Sequence, residues 1–208
     1  MKTIIVAGGE ADIEQLKSEL ELGLHDLLIA ADSGADYIIG AGFMPDIIMG
    51  DLDSMSADRA SLTSQIIEYP AEKDFTDLEA TFNHAVSLGA DDIIIYGATG
   101  RRLDHFFGNI SLLIKADELL IDCAMFDRYN RIRLISSEIT LIKEKTFGKY
   151  ISIIPIDDNV NITLTGFKYP LDNYHLKRDN ALGVSNELSA DKAKITVHSG
   201  RVLLIESI

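Results

Sequence analysis

The sequence predicts an α/β protein in which an N-terminal, mostly parallel α/β sheet domain is followed by a C-terminal all-β domain. Up to about residue 129, short apolar runs alternate with amphipathic segments of helical period. From there to residue 208, β-type runs alternate with turns, and no helical stripe is evident. We therefore place the domains at residues 1–130 and 131–208, with a boundary between 125 and 145.

Five short apolar runs in the first domain are interpreted as strands buried on both faces of a parallel sheet. They span residues 2–7, 27–31, 46–49, 66–69 and 93–96. A further run at 125–128 fits a last strand of the same sheet.

Capping signals predict where the intervening helices begin. Asp12 with Gln15 three residues on, Ser56, and Thr76 with Glu79 three residues on are placed as helix starts. The helix that follows Ser56 is expected to reach about residue 64, and the last helix is expected to reach about residue 120. The positions expected to face the core are Ile13, Leu16, Leu20 and Leu24; Ala35, Ile38 and Ile39; Leu78, Phe82, Ala85 and Val86; and Phe106, Ile110, Leu113 and Ile114.

Six β-type runs follow in the second domain, which predicts a sandwich or a barrel. They span residues 132–135, 139–142, 150–155, 160–164, 193–197 and 202–205. The segments 168–171 and 183–187 interrupt this pattern and are interpreted as turns.

Composition limits the possible partners and location. With 33 acidic and 19 basic residues, the formal net charge is −14, which disfavours binding to nucleic acid or to an anionic membrane. No apolar run approaches the ~20 residues that span a bilayer, and no signal peptide is recognised. The single cysteine, Cys123, excludes an internal disulfide and is expected to be buried. The five histidines form no zinc pattern. A cytoplasmic protein is the default expectation.

Polar residues follow several predicted strands directly. Asp32 follows the second strand, Asp51 and Asp53 follow the third, and a glycine-containing segment at 97–100 follows a later one. Because ligands of parallel sheets bind beyond the carboxyl ends of the strands, these groups are expected to converge. Two carboxylates on one side of an extended chain favour a shared Mg²⁺ ion whose shell phosphates complete. The alternative is an Asp-rich surface turn.

Two further segments add phosphate chemistry. One segment lies just before a predicted helix and at its start, and contains Lys73, Asp74 and Asp77. Lys73 is suited to hold a phosphate. The alternative explanation of Asp77 is an acid in the first helical turn, where the helix dipole favours negative charge. In the segment 97–105, small residues let backbone N–H groups approach an anion, and two arginines follow. Asp104 either caps the helix or orients an arginine. Together these features indicate phosphoryl or nucleotidyl transfer.

The ordered motifs resemble those of the bacterial thiamine pyrophosphokinase family. They are Asp32-Ser33-Gly34, Gly50-Asp51-Leu52-Asp53-Ser54, Lys73-Asp74-Phe75-Thr76-Asp77 and the segment 97–105. The resemblance continues through Lys168-Tyr169-Pro170-Leu171, Ser185-Asn186 and the segment 200–204, so it covers nearly the whole chain. Arg101 departs from the pattern, since the family usually has a second glycine there.

The resemblance implies transfer of a diphosphate from ATP to the hydroxyl of thiamine, giving thiamine diphosphate and AMP. It also implies an α/β domain that binds ATP and Mg²⁺, a β-sandwich that binds thiamine, and a homodimer whose active sites lie at the interface. Carried over residue by residue, the expected Mg²⁺ ligands are Asp51, Asp53 and Asp77, which with Arg102 form the catalytic set. The expected nucleotide-binding residues are Asp32, Lys73, Asp74, Thr99, Arg102 and Asp104, and those expected to bind thiamine are Ser185 and Asn186.

Three other interpretations compete with this one. The first is a related Mg²⁺-dependent pyrophosphokinase or nucleotidyltransferase that acts on another small alcohol, such as a pterin alcohol; only the β-domain segments separate it from the favoured one. The second is a non-catalytic sensor of thiamine or nucleotide, which has no need of three convergent acids. The third is an acidic α/β protein with ordinary loop turns.

Overall fold

A computed structural model of the chain describes residues 1–51, 56, 63–70, 74–100 and 102–208. They divide into two compact units, Met1–Arg128 and Tyr129–Ile208. The helix predicted after Ser56 falls largely on residues outside these ranges. No helix in the described part of the chain is long and apolar enough to cross a membrane.

The first unit contains a parallel sheet, as the alternating pattern predicted. Its strands pair in the order β4-β3-β2-β1-β5-β6, each parallel to its neighbours. They are β1 (Lys2–Val6), β2 (Leu27–Ala31), β3 (Ile47–Gly50), β4 (Gln65–Glu68), β5 (Asp92–Tyr96) and β6 (Asp122–Phe126). Strands β2, β3 and β4 are added in sequence on one side of β1, and the chain then returns to the other side of β1 to form β5 and β6. Because the strand order reverses at β1, a crevice is expected beyond the carboxyl ends of these strands.

Helices α1 (Ile13–Glu21), α2 (Gly34–Gly40), α3 (Asp77–Ser87) and α4 (Leu103–Glu118) accompany these strands. Two predicted caps are confirmed. The Asp12 carboxylate accepts hydrogen bonds from the N–H groups of Glu14 and Gln15, at 3.0 and 3.1 Å. The Thr76 hydroxyl accepts one from the N–H of Glu79, at 3.1 Å. Each bond satisfies a donor that the first helical turn leaves without an intrahelical partner.

The prediction for the end of α1 was wrong. Leu16 and Leu20 are buried, but Leu24 lies beyond the helix and is 65% exposed. The chain leaves the helix at Gly23, whose φ of +61° suits a residue without a Cβ. The helical spacing of apolar residues therefore continues in the sequence to Leu24, although the helix itself ends at Glu21.

Cys123 is half-buried on β6, and burial raises the pKa of its thiol to about 12.

The second unit is all-β, as predicted. Strand β13 (Val202–Ser207) pairs antiparallel with β7 (Asn130–Ile135) and β9 (Tyr150–Pro155). A four-stranded antiparallel sheet has the order β11-β10-β12-β8. Its strands are β8 (Glu138–Ile142), β10 (Val160–Thr165), β11 (Leu171–Leu176) and β12 (Lys192–Ser199), and a one-turn 3₁₀ helix spans Lys143–Lys145. Apolar side chains from both groups of strands form one core, which makes this unit a sandwich.

Strand β11 was not predicted; its first residue, Leu171, was interpreted as the end of a turn. Four of its six residues are Asp172, Asn173, Tyr174 and His175, all exposed. It lies at the edge of its sheet and pairs with β10 alone. An edge strand carries polar residues without loss of core packing, so hydrophobic alternation does not identify it.

A cluster of charged side chains, formed by Glu206 of β13 and by Arg131 and Arg133 of β7, lies on these two neighbouring strands. The Glu206 carboxylate is fully buried and accepts hydrogen bonds from Arg131 Nε (2.8 Å), Arg131 Nη2 (2.5 Å), Arg133 Nη2 (2.7 Å) and the N–H of Phe147 (3.0 Å). Burial raises the pKa of Glu206, but the bonds and charges of Arg131, Phe147 and Arg133 outweigh it and hold that pKa below its ordinary value.

Glu206→Gln is expected to lower the free energy of unfolding by about 3 kcal/mol at neutral pH, because the half-buried guanidinium groups of Arg131 and Arg133 lose the charge of their buried partner. Since the folded pKa of Glu206 is lowered, its contribution is present above the unfolded pKa and disappears as the pH falls through the folded pKa. The difference between the two proteins in urea unfolding should therefore shrink at acid pH. Glu138→Gln, which removes an exposed partner of Lys194, is the control and should change stability by at most about 0.5 kcal/mol. A pH-independent difference would contradict the assignment.

Candidate active site

A cavity of about 590 Å³ lies at the carboxyl end of the parallel sheet in the first unit. This volume is in the range of small-molecule sites. The loops that follow β1, β2 and β5 line it, together with the first turns of α3 and α4. The lining residues are Ala7–Glu10, Ala31–Ser33, Tyr37, Thr76–Leu78, Gly97–Gly100, Arg102, His105 and Asn109.

Four of the predicted site residues line this cavity: Asp32, Asp77, Thr99 and Arg102. Asp32 and Thr99 belong to the groups that were expected to converge at the strand ends, whereas Asp77 and Arg102 lie at the starts of α3 and α4. Asp51 follows β3 directly and is half-buried, but it is not among the lining residues.

The other predicted residues are placed elsewhere or are not described. Asp74 and Asp104 are exposed and do not line the cavity. Ser185 and Asn186 belong to the second unit. Asp53, Lys73 and the unusual Arg101 lie outside the described residues, so their predicted roles stay predictions.

The loops after β1 and β5 approach each other through glycine. The N–H of Gly9 donates to the carbonyl of Gly97 at 3.0 Å, and the N–H of Glu10 donates to the carbonyl of Thr99 at 2.9 Å. A Cβ on Gly97, whose φ is +69°, would lie 2.2 Å from the carbonyl oxygen of Ala7. A Cβ on Gly9 would lie 2.1 Å from that of Thr99. A side chain at either position would force the two loops apart.

Asp32 holds a strained backbone conformation at the edge of the cavity. Its φ is +50°, in the left-handed region that aspartate tolerates better than most residues. Its N–H donates to the carbonyl of Met49 at 2.7 Å, which ties the end of β2 to β3. Such conformations persist where surrounding bonds fix them, and they cluster at functional sites.

Two polar residues that the sequence analysis did not select hold the segment 97–100. Asn109 is buried in α4 and donates from Nδ2 to the carbonyl of Ala98 at 2.7 Å. The Thr99 hydroxyl donates to Oδ2 of Asp127 at 2.8 Å, and Asp127 is also buried. Both carried a signal: Asn109 interrupts the apolar stripe beside Ile110, and Asp127 directly follows β6. Buried polar side chains need hydrogen-bond partners, so each indicates a structural contact nearby.

Arg102 lies at the start of α4 and contacts Asp104. Its Nε and Nη2 donate to the Asp104 carboxylate at 3.2 and 2.5 Å. The hydrogen bond from Arg102 lowers the pKa of Asp104 to about 2. Both side chains are exposed, so the pair adds little stability, but it orients the guanidinium beside the cavity. The remaining N–H donors of Arg102 suit phosphate oxygens.

The first turns of α3 and α4 supply backbone N–H groups at the cavity, since Thr76–Leu78 and Arg102 line it. Helix N-termini favour anions, and α4 begins here without a side-chain cap. Among the described residues, no group of three or more His, Cys, Asp or Glu side chains converges in a metal-binding arrangement. The carboxylates of Asp51 and Asp77 do offer the hard oxygen donors that Mg²⁺ prefers.

Comparisons with known proteins match both units to one family. The family model described as "Thiamin pyrophosphokinase, catalytic domain" matches residues 19–125. The model described as "Thiamin pyrophosphokinase, vitamin B1 binding domain" matches residues 136–202. A thiamine pyrophosphokinase from Bacillus subtilis (strain 168) is 36% identical over 214 aligned residues, covering 100% of this chain and 99% of that protein.

Solved structures agree over the whole chain. The crystal structure of thiamine pyrophosphokinase from Bacillus subtilis has a TM-score of 0.86 and 32% identity, and covers 100% of this chain and 99% of its own. The structure of thiamin pyrophosphokinase from Geobacillus thermodenitrificans has a TM-score of 0.85 and 32% identity, with coverages of 100% and 98%.

Asn109→Asp is expected to loosen the segment 97–100, because a carboxylate oxygen would replace the donor that faces the carbonyl of Ala98. The free energy of unfolding should fall by about 2 kcal/mol, and amide hydrogen exchange in 97–100 should accelerate. Ser111→Ala is the matched control, since its hydroxyl bonds the carbonyl of Gly108 on the exposed side of α4. Unchanged exchange in the Asn109 variant would show that the amide does not hold this loop.

Proposed function

The chain belongs to the thiamin pyrophosphokinase family, and we propose from this that it transfers a diphosphate group from ATP to the hydroxyl of thiamine, giving thiamine diphosphate and AMP. One observation carries the proposal beyond the family match. Asp77, Arg102, the glycine-containing segment 97–100 and two helix N-termini line a single cavity. That combination suits a polyphosphate.

The nucleotide is assigned to this cavity. The backbone N–H groups at the starts of α3 and α4 favour the phosphates, and Arg102 carries positive charge beside them. Asp32 and Thr99 line the same space, and Lys73, Asp74 and Asp104 are added to the nucleotide site by the resemblance alone. Asn109 and Asp127 hold the segment that Thr99 belongs to, so they act on the nucleotide through the backbone.

We assign Mg²⁺ to Asp51, Asp53 and Asp77, where it would neutralise charge on the diphosphate oxygens. In the reaction, the thiamine hydroxyl oxygen bonds to the β-phosphorus of ATP, the bond from that phosphorus to the bridging oxygen of AMP breaks, and the hydroxyl proton is lost. Such a transfer needs in-line placement and charge stabilisation more than a covalent intermediate. Arg102 is therefore proposed to stabilise charge on the transferred group or on AMP.

Thiamine is assigned to the second unit, whose residues 136–202 match the vitamin B1 binding domain. We further propose that two copies form a homodimer with the active site at their interface, which brings Ser185 and Asn186 of one copy to the nucleotide of the other. Light scattering that finds only the 22.9 kDa chain at working concentration would count against the dimer.

The purified protein with ATP, Mg²⁺ and thiamine is expected to form AMP and thiamine diphosphate in equal amounts, because the β- and γ-phosphates move together. Chromatography of quenched reactions measures both products. ADP with thiamine monophosphate would instead indicate single phosphoryl transfer, and turnover of a pterin alcohol in preference to thiamine would favour the related pyrophosphokinase.

Asp51→Asn and Asp53→Asn are each expected to reduce turnover at least about 100-fold, since each removes charge from the proposed Mg²⁺ site. Calorimetry should show weakened Mg²⁺ binding. Without metal, the melting temperature should stay equal or rise, because two carboxylates two residues apart no longer repel each other. Glu14→Gln, an exposed acid on α1, is the control. Wild-type Mg²⁺ affinity in either aspartate variant would remove that residue from the site.

A further inference from the structure

The carboxyl end of β3, from which the chain continues into Asp51, is bound on both sides. The N–H of Asp32 donates to the carbonyl of Met49 at 2.7 Å, and the N–H of Tyr69 donates to the carbonyl of Gly50 at 3.0 Å. Asp51 follows directly and is half-buried. The backbone that leads into this proposed Mg²⁺ ligand is therefore fixed from the β2 side and from the β4 side of the sheet.

Five residues after Asp51, the chain is bound again, this time by a side chain of α2. The N–H of Ser56 donates to both oxygens of the Asp36 carboxylate, at 3.2 Å to Oδ1 and 3.0 Å to Oδ2. Asp36 lies 20 residues earlier in the chain, in the first turn of α2. The segment 51–56 is thus held at both of its ends by contacts with the first unit.

The sequence supplies no local acceptor of the usual kind for the N–H of Ser56. In a capping box, a Glu or Gln three residues after the N-cap accepts a hydrogen bond from the N–H of the N-cap residue. Ser56 was predicted to be such an N-cap, but the residue three positions on is Arg59, whose side chain contains no acceptor atom. The acceptor comes from a different helix instead, so the bond ties two separate segments together.

Helix α2 presents the Asp36 carboxylate from a closely determined position. A Cβ on Gly34 would lie 1.9 Å from the carbonyl oxygen of Val6, so the helix begins in direct contact with the end of β1. An acid in a first helical turn is also favoured by the helix dipole, but the dipole does not account for the contact with Ser56. The carboxylate is therefore a fixed point to which the segment 51–56 is attached.

We propose that Asp36 is a positioning residue for the Mg²⁺ site, and that its bond to Ser56 holds the segment that begins with Asp51 in place for the ion. The inference rests on the proposed function. Carboxylates that share an ion repel each other before the ion binds. A segment held at both ends has less freedom to relieve that repulsion, so more of the ordering occurs when the protein folds and less when Mg²⁺ binds.

The first test is a calorimetric titration of the nucleotide-free full chain with Mg²⁺. Asp36→Ala should raise the Kd for Mg²⁺ about tenfold, the lower end of the effect expected for a residue that orients metal ligands without touching the ion. Asp36→Asn keeps an acceptor oxygen for the N–H of Ser56 and should stay within about threefold of the wild type. The Mg²⁺ concentration that gives half-maximal turnover should follow the same order.

Asp46 provides the matched control, because its carboxylate makes the same kind of bond at the opposite end of β3. Its Oδ2 accepts from the N–H of Leu28 at 2.8 Å. Asp46→Ala should lower the melting temperature about as much as Asp36→Ala does, and it should leave the Kd for Mg²⁺ within about twofold of the wild type. The comparison separates the loss of a carboxylate-to-backbone bond from the loss of that bond at the proposed metal segment.

A second measurement needs no metal. In the metal-free protein, amide hydrogen exchange at Ser56 should accelerate in Asp36→Ala and stay unchanged in Asp46→Ala. Ser56→Pro removes the donor in place of the acceptor, so it should raise the Kd for Mg²⁺ about as much as Asp36→Ala. That variant decides the question if Asp36→Ala fails to fold.

The outcomes separate the claims. A wild type that responds to Mg²⁺ but makes no thiamine diphosphate contradicts the proposed reaction, whereas the titrations still decide the role of Asp36. A wild type that neither binds Mg²⁺ nor requires it overturns both the metal assignment and the positioning role. Wild-type Mg²⁺ affinity in Asp36→Ala overturns the inference. Equal losses in Asp36→Ala and Asp36→Asn also overturn it, because the charge and not the bond would then act. An equal loss in Asp46→Ala would show general destabilisation and overturn it as well.

Discussion

The backbone hydrogen bonds between the loops after β1 and β5 are the constraint on which the rest of the candidate site depends. They require two glycines, because a Cβ on Gly9 or Gly97 would overlap a carbonyl oxygen of the facing loop. With the loops joined, the segment 97–100 runs beside the start of α4, and Thr99, Arg102 and Asp77 line one cavity. The charged side chains thus depend for their arrangement on residues that have no side chain.

Two asparagines, one in each unit, perform the same physical task. Asn109 bonds the carbonyl of Ala98, and Asn186 bonds both backbone groups of Tyr169. In each case the amide satisfies peptide groups where no strand or helix is available to do so. A buried amide is therefore a means of fixing irregular backbone, and irregular backbone is where the two units carry the residues assigned to ligands.

Much of this arrangement was predictable, and the limits have physical reasons. Asp32 and the segment 97–100 were predicted to converge because the carboxyl ends of parallel strands meet at one edge, a rule that needs only strand order. Asp51 was predicted with them; it follows β3 but does not line the cavity. Leu24 was misplaced because hydrophobic period does not register the turn at Gly23, and β11 was missed because an edge strand does not need an apolar face. Asn109 and Asp127 stand at positions that indicate a buried polar contact, but their partners lie in a separate segment of the chain, so the sequence does not identify those partners.

The burial of Glu206 also bears on how the second unit folds. Its carboxylate contacts Arg131, 75 residues earlier, and β13 lies between β7 and β9 in the antiparallel pairing. Until β13 docks, both neighbouring strands lack a hydrogen-bonding partner on that side, and the two guanidinium groups lack their counter-ion. Closing so long a stretch of chain costs entropy before any contact compensates for it. The hydrogen bonding of β7 and β9 and the neutralisation of both arginines therefore depend on one strand, the last in the chain order of this unit.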